Sequence, residues 1–208
     1  MSGLPLILWF RRDLRLLDQP MLSAAVATGR PLVPVFVLDP ETEALGAAPK
    51  WRLGLAVEAF AAALAGIGLP LVLRRGPALA VLRELLAGTG AGGVWWSRLY
   101  DPDSVARDTA VKAALKADGV EARSFAGHLL HEPWQVQTGA GGGYRVFTPY
   151  WNAMRGLPVA APLPAPVRAR GPERPVPGER LADWRLAAAM DRGARVVLPH
   201  QAVGEAAA

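Results

Sequence analysis

The ten residues WFRRDLRLLD (9–18) place three arginines and two aspartates directly after an apolar run. The guanidiniums of Arg11, Arg12 and Arg15 can each pair bidentately with a phosphate or carboxylate, and Asp13 and Asp18 can accept from N–H or hydroxyl groups. A strand that merely ends needs a turn of Gly, Asn, Asp or Pro. Five charges in one loop point instead to ligand recognition or to the ordering of neighbouring loops. Similar groups recur at Asp39-Pro40, at Arg74-Arg75, and at Arg98, Tyr100 and Asp101. A structural ion-pair network would use the same residue types, and for any single residue both readings stay open.

Other chemistry is less well supported. Gly88, Gly90 and Gly93 spell G-x-G-x-x-G, but a helical stretch precedes them and a strand-like one follows. A dinucleotide fingerprint needs the reverse order, so that a helix N-terminus faces the pyrophosphate. The GAGGG run (139–143) lacks a following Lys-Ser/Thr pair and reads as a loop tip. His128, His131 and Glu132 sit close together in GHLLHEP, without a third ligand at helical spacing. No metal site is expected there, and no nucleophile elbow occurs. Trp51 opens a helical stretch near the charged loops, where it either packs or covers a planar ligand.

These groups need elements to position them. LPLILWF (4–10), PLVPVFVLD (31–39), LPLVLRRG (69–76), GVWWSRLY (93–100) and VEARSF (120–125) read as five strands. Helical patterns alternate with them near 20–28, over 52–68, over 77–88 and over 101–119. Near-continuous apolar strands separated by amphipathic helices predict a doubly wound, Rossmann-like α/β domain: a five-stranded parallel sheet with helices on both faces. In such a sheet ligands bind outside the carboxyl ends of the strands, where the charged loops fall. Trp95 and Trp96 are expected to face opposite sides of the sheet. The division expected is an α/β domain over 1–135, a Gly- and Pro-rich linker over 136–180, and a connecting segment over 181–208 with a short helix at 181–193. Seven prolines between 157 and 178 favour an extended strap over a loose tail.

The 208 residues allow one good core, and 51% are hydrophobic. There is no cysteine, no apolar run of about 18 residues and no signal-peptide succession, which together suggest a cytoplasmic chain away from membranes. Arginine outnumbers lysine twenty to three within a net charge of +5. That bias suits anion recognition, and a GC-rich coding sequence would produce it as well.

LILWFRRDLRLLDQPML (6–22) strongly resembles the start of the DNA photolyase and cryptochrome family. FVLDP (36–40), WSRLYDP (96–102) with the Arg107-Asp108 that follows, VKAALKADGVEARSFAGHLLHEPWQV (111–136) and YRVFTPYW (144–151) resemble family segments in the same order. The resemblance covers roughly residues 4–155, and VGEAAA (203–208) is similar to the segment that introduces the family's second, helical domain. It implies the N-terminal, antenna-binding domain of a deoxyribodipyrimidine photolyase, a flavoprotein lyase that repairs pyrimidine dimers in DNA under blue light. The helical domain, which in the family carries FAD and the lesion pocket, is not part of this sequence. This chain alone is therefore expected to hold no catalytic residue.

The resemblance further implies a light-harvesting antenna (flavin, deazaflavin or folate) that passes excitation to FAD. The matching positions for a flavin-type antenna are Arg11, Asp13, Phe36, Asp39, Arg52 and Asp101. Phe36 or Trp51 would contact a ring, Asp39 and Asp101 would accept N–H or hydroxyl groups, and Arg11 and Arg52 would meet a phosphate or ring carbonyl. Arg12, Arg15 and Asp18 are expected to hold the loop, the next helix or the second domain. Ser97 and Leu99 depart from the residues many members carry. The expected partners are the FAD domain and, through the full-length protein, UV-damaged DNA. Two other functions compatible with the fold are a cryptochrome, which signals rather than repairs, and a stand-alone nucleotide-binding domain.

Overall fold

LILWF forms the first strand, β1 (Leu6–Phe10), and all five side chains are buried. Successive strand residues point to opposite faces, so an unbroken apolar run is stable only where both faces are covered. The same holds for β2 (Leu32–Leu38) and β4 (Gly93–Ser97), which flank β1. The computed structural model describes residues 3–205, and in it β3 (Val72–Arg75) and β5 (Glu121–Phe125) complete one parallel sheet of order β3-β2-β1-β4-β5. Pro34 lies within β2, yet pairing with β3 begins only at Val35, so its missing N–H interrupts no ladder on that side. Edge strand β5 carries Glu121 and Arg123 and is largely exposed, which discourages pairing with another chain.

Helices α1 (Pro20–Ala27), α2 (Pro40–Glu43), α3 (Ala47–Gly66), α4 (Ala78–Thr89) and α5 (Pro102–Ala117) link the strands. Three of them open with a polar residue followed by proline: Gln19-Pro20, Asp39-Pro40 and Asp101-Pro102. In each the polar side chain accepts a backbone N–H of the first turn, while proline supplies a pre-set φ where no donor is needed. α3 starts at Ala47 rather than Arg52, because Pro49 falls in its first turn and does not break it. Gly90 ends α4 in the left-handed conformation (φ 64°), so the G-x-G-x-x-G run is a helix-to-strand turn. Trp9 and Trp96 meet edge to face at 6.0 Å in the core, while Trp95 packs on Phe125 from the other side of the sheet. No helix among the described residues is long and apolar enough to cross a membrane.

Beyond β5 the chain forms a loop and α6 (Phe147–Met154), none of whose residues is buried. The proline-rich strap then returns along the sheet. Leu163 exchanges two hydrogen bonds with Asp18, Ala169 N–H donates to Ile67 O, Arg170 O accepts from Leu32 N–H, and Glu179 N–H donates to Leu73 O. The helix expected over 181–193 is not one helix. Leu181–Trp184 is a 3₁₀ turn broken by Arg185 at φ 49°, and α7 runs only over Asp191–Val197. At the break Trp184 is buried against Phe36 and its indole N–H donates to Glu179 at 2.7 Å.

Candidate functional site

Strand order reverses between β1 and β4, and a crevice opens at the carboxyl ends of the strands on that side. It is a cleft of about 200 Å³ whose lining includes Arg11, Arg12, Phe36, Asp39, Asp101 and Arg107. The sequence thus leads to this place, and four of the six antenna-site expectations (Arg11, Phe36, Asp39 and Asp101) meet there. Asp13 and Arg52 do not line it.

Each rim side chain already has partners. Asp39 caps α2 by accepting Thr42 N–H at 2.9 Å, and its other oxygen accepts from Arg107 at 3.0 Å. Asp101 caps α5 by accepting Ser104 N–H at 3.1 Å and pairs with Arg12 at 3.0 Å. Burial pushes the Asp101 carboxyl up, but the bonds from Ser104 and the charge of Arg12 outweigh it and hold its pKa below the ordinary value. Arg107 joins Asp39, Glu41 and Asp108, and these carboxylates overcome the desolvation that would lower its pKa.

Arg11 is only 7% exposed. It grips both oxygens of Asp108 at 2.6 and 2.7 Å and also donates to the Ser97 carbonyl. Burial lowers its pKa from the ordinary guanidinium value, and Asp108 and Asp13 oppose that. Its guanidinium lies 4.3 Å from the centre of the Trp9 ring, with that of Arg107 at 5.3 Å, so a buried indole is flanked by two cations. Asp13 accepts Arg11 N–H at 3.0 Å and Gln19 Nε2 at 2.7 Å, which ties the loop to the start of α1. Arg52 donates to the Ala202 carbonyl at 2.8 Å and holds the C-terminal segment. Glu205 completes that attachment, accepting the N–H groups of Leu16 and Leu17 at 2.7 and 2.6 Å. Arg15 donates to Asp18 O and Gly127 O. Trp51 is buried and takes no part in the cleft lining.

Glu132 faces inward, where one oxygen accepts from Arg98 at 2.6 Å and from Tyr100 at 3.1 Å. Burial, with Glu132 nearby, keeps the Tyr100 phenol above its ordinary pKa.

Arg107 and Asp108 are the members that reasoning from the sequence did not assign. Their signal was helical spacing: Asp101, Ser104 and Asp108 recur three and four apart, on the face of α5 turned to the rim. A flavin-sized ring needs more room than about 200 Å³, since small-molecule pockets run to about 300–1,000 Å³. The donor set suits such a ring: the apolar wall of Phe36, Leu53 and Leu99 faces carboxylates and guanidiniums. The wall that can yield is the Arg12–Asp101 pair, with side chains 63% and 39% exposed, since exposed pairs hold weakly.

Comparison with known proteins agrees with this fold. The family model for DNA photolyase matches residues 6–167. The deoxyribodipyrimidine photo-lyase of Agrobacterium fabrum is 43% identical over 183 residues, covering 88% of this chain and 38% of that protein. Cryptochrome-1 of Arabidopsis thaliana is 37% identical over 161 residues, covering 76% of this chain and 24% of the relative. Among solved structures, the class III photolyase of Agrobacterium tumefaciens superposes with a TM-score of 0.86 at 42% identity, over 89% of this chain and 39% of that one.

Proposed function

This chain belongs to the DNA photolyase family, and from that premise we propose that it is the N-terminal, light-harvesting domain of a blue-light-driven deoxyribodipyrimidine photolyase. The observation that carries the reading is the 43% identity to the Agrobacterium fabrum photo-lyase over 183 residues. The chain spans 38% of that relative's length. Repair, binding of FAD and contact with UV-damaged DNA belong in this reading to the full-length protein.

In this reading the cleft at the carboxyl rim takes the edge of a flavin-type antenna, which when bound absorbs light and passes the excitation on. Phe36 lies against the ring, and Asp39 and Asp101 accept its N–H or hydroxyl groups. Arg12 swings aside to admit the ring, and Arg107 meets a carbonyl or phosphate oxygen. Arg11 and Asp13 act one step back, by fixing the loop. Titrating the purified chain with flavin mononucleotide, and separately with a deazaflavin, tests this. The expected result is saturable quenching of ligand fluorescence that weakens in Phe36→Ala and Asp39→Asn. No binding of either at high micromolar concentration overturns the antenna assignment.

The 37% identity to a plant cryptochrome supports a second reading, blue-light signalling on the same fold. Assaying a dimer-containing oligonucleotide under blue light, with the longest polypeptide the gene encodes, separates the two. Restored thymines support repair, and an unchanged dimer in a protein that retains FAD supports signalling.

A further inference from the structure

The light-driven reading leaves a second and larger cavity unused. It lies towards the amino-terminal ends of the strands, between α4 and the strap, and holds about 800 Å³ against about 200 Å³ at the rim. Its origin is visible in the chain. The strap is pinned at Ala169 and Arg170 and again at Glu179. Between those points Pro172, Pro175 and Pro177 bring no N–H to bond with the sheet edge, and the segment bows outward. The void beneath is walled by Leu85, Val176 and these prolines.

Its charges are unusual. Arg74 lies in β3 and is partly buried, and its side chain makes no hydrogen bond or ion pair among the described residues. Arg174, on the strap, is exposed, and its side chain likewise has no partner among the described residues. Arg170 is neutralised by Glu173 at 3.3 Å, and Glu84 is the remaining charge. Two unpaired guanidiniums against one carboxylate leave a net charge of one positive on an apolar chamber. A partly buried cation without a counter-charge gains when an anion arrives, and a guanidinium offers a carboxylate or sulfonate two parallel donors. The volume falls in the range of small-molecule sites. Glu84 and Glu173 at the lining disfavour a polyanion such as nucleic acid.

We infer that this cavity binds an amphipathic organic monoanion, an aromatic or branched carboxylate or sulfonate, with its charged end on Arg74 and Arg174 and its apolar body against Leu85 and Val176. The site is independent of the antenna cleft and stands whether or not that cleft binds a flavin.

The test uses 2-naphthoate as probe and its neutral amide, 2-naphthamide, as control, followed by backbone amide NMR of the whole chain. Naphthoate is expected to shift the signals of residues 84–89 and 173–176 saturably, with naphthamide roughly tenfold weaker, as loss of one charge-assisted pair implies. Arg74→Gln and the exposed-site variant Arg174→Gln should each weaken naphthoate several-fold and leave naphthamide unchanged. Equal affinity for acid and amide overturns the proposal. So do shifts confined to the rim loops, or an Arg74→Gln variant of unchanged circular dichroism that binds naphthoate as tightly as the native chain.

Discussion

Arg11 is fixed at the rim by its partners rather than left free. Its side chain is 7% exposed and that of Asp108 is 12% exposed, so their bond is shielded from water. Asp108→Ala leaves the guanidinium with Asp13 and the Ser97 carbonyl but beside the like charge of Arg107, and should cost about 3 kcal/mol, the low end for breaking a buried pair. Replacing both partners, as Arg11→Met with Asp108→Leu, should recover much of that loss in urea denaturation. Asp101 behaves differently because it is partly exposed. Its pKa is lower folded than unfolded, so its stabilising contribution is complete above the unfolded value and fades as pH falls through the folded one. The stability gap between the native chain and Asp101→Asn should therefore be flat at neutral pH and close on acidification. The charged loop was legible from residue types alone. Its pairings were not, because Arg11 meets Asp108 only once α5 is laid beside β1, across 97 positions of sequence.

Strands and helix starts were the most readable elements, and the reason is physical. Burial on both faces demands unbroken apolar runs, and a capping side chain directly before proline marks the starts of α1, α2 and α5. Asp39→Ala and Asp101→Ala should each destabilise by about 1 kcal/mol from loss of the cap alone, with Asp39 costing more because it also holds Arg107. The misreading of 181–193 came from the same logic, since its periodicity is helical and the break falls where Trp184 packs into the Phe36 cluster. Gly127 is a tighter constraint than its loop suggests. A Cβ there would run into the Arg98 carbonyl, so Gly127→Ala should cost about 1–3 kcal/mol by overpacking. It should also perturb the hydrogen bond from Gly127 N–H to the Tyr100 hydroxyl.

At the scale of the whole molecule, the strap acts as a cover for the β3 edge. Glu179 accepts Arg75 N–H at 2.7 Å with one oxygen and the Trp184 indole at 2.7 Å with the other, while its own N–H bonds Leu73. Glu179→Ala should speed amide hydrogen exchange in β3 and change tryptophan emission, and leave β1 and β4 as protected as before. Proline content pointed to an extended segment, but which edge it would follow depends on the sheet order, which no local pattern encodes. That order has a consequence for synthesis. β1 is made before the other strands of the sheet yet lies at its centre, and its second neighbour is β4. β2 can join it early, but the other side of β1 stays an open, wholly apolar edge until Gly93–Ser97 has been made. The nascent chain therefore grows by about 80 residues with its stickiest strand half paired. Production of this protein should depend on chaperone capacity and on translation speed ahead of β4 more than its finished stability would suggest.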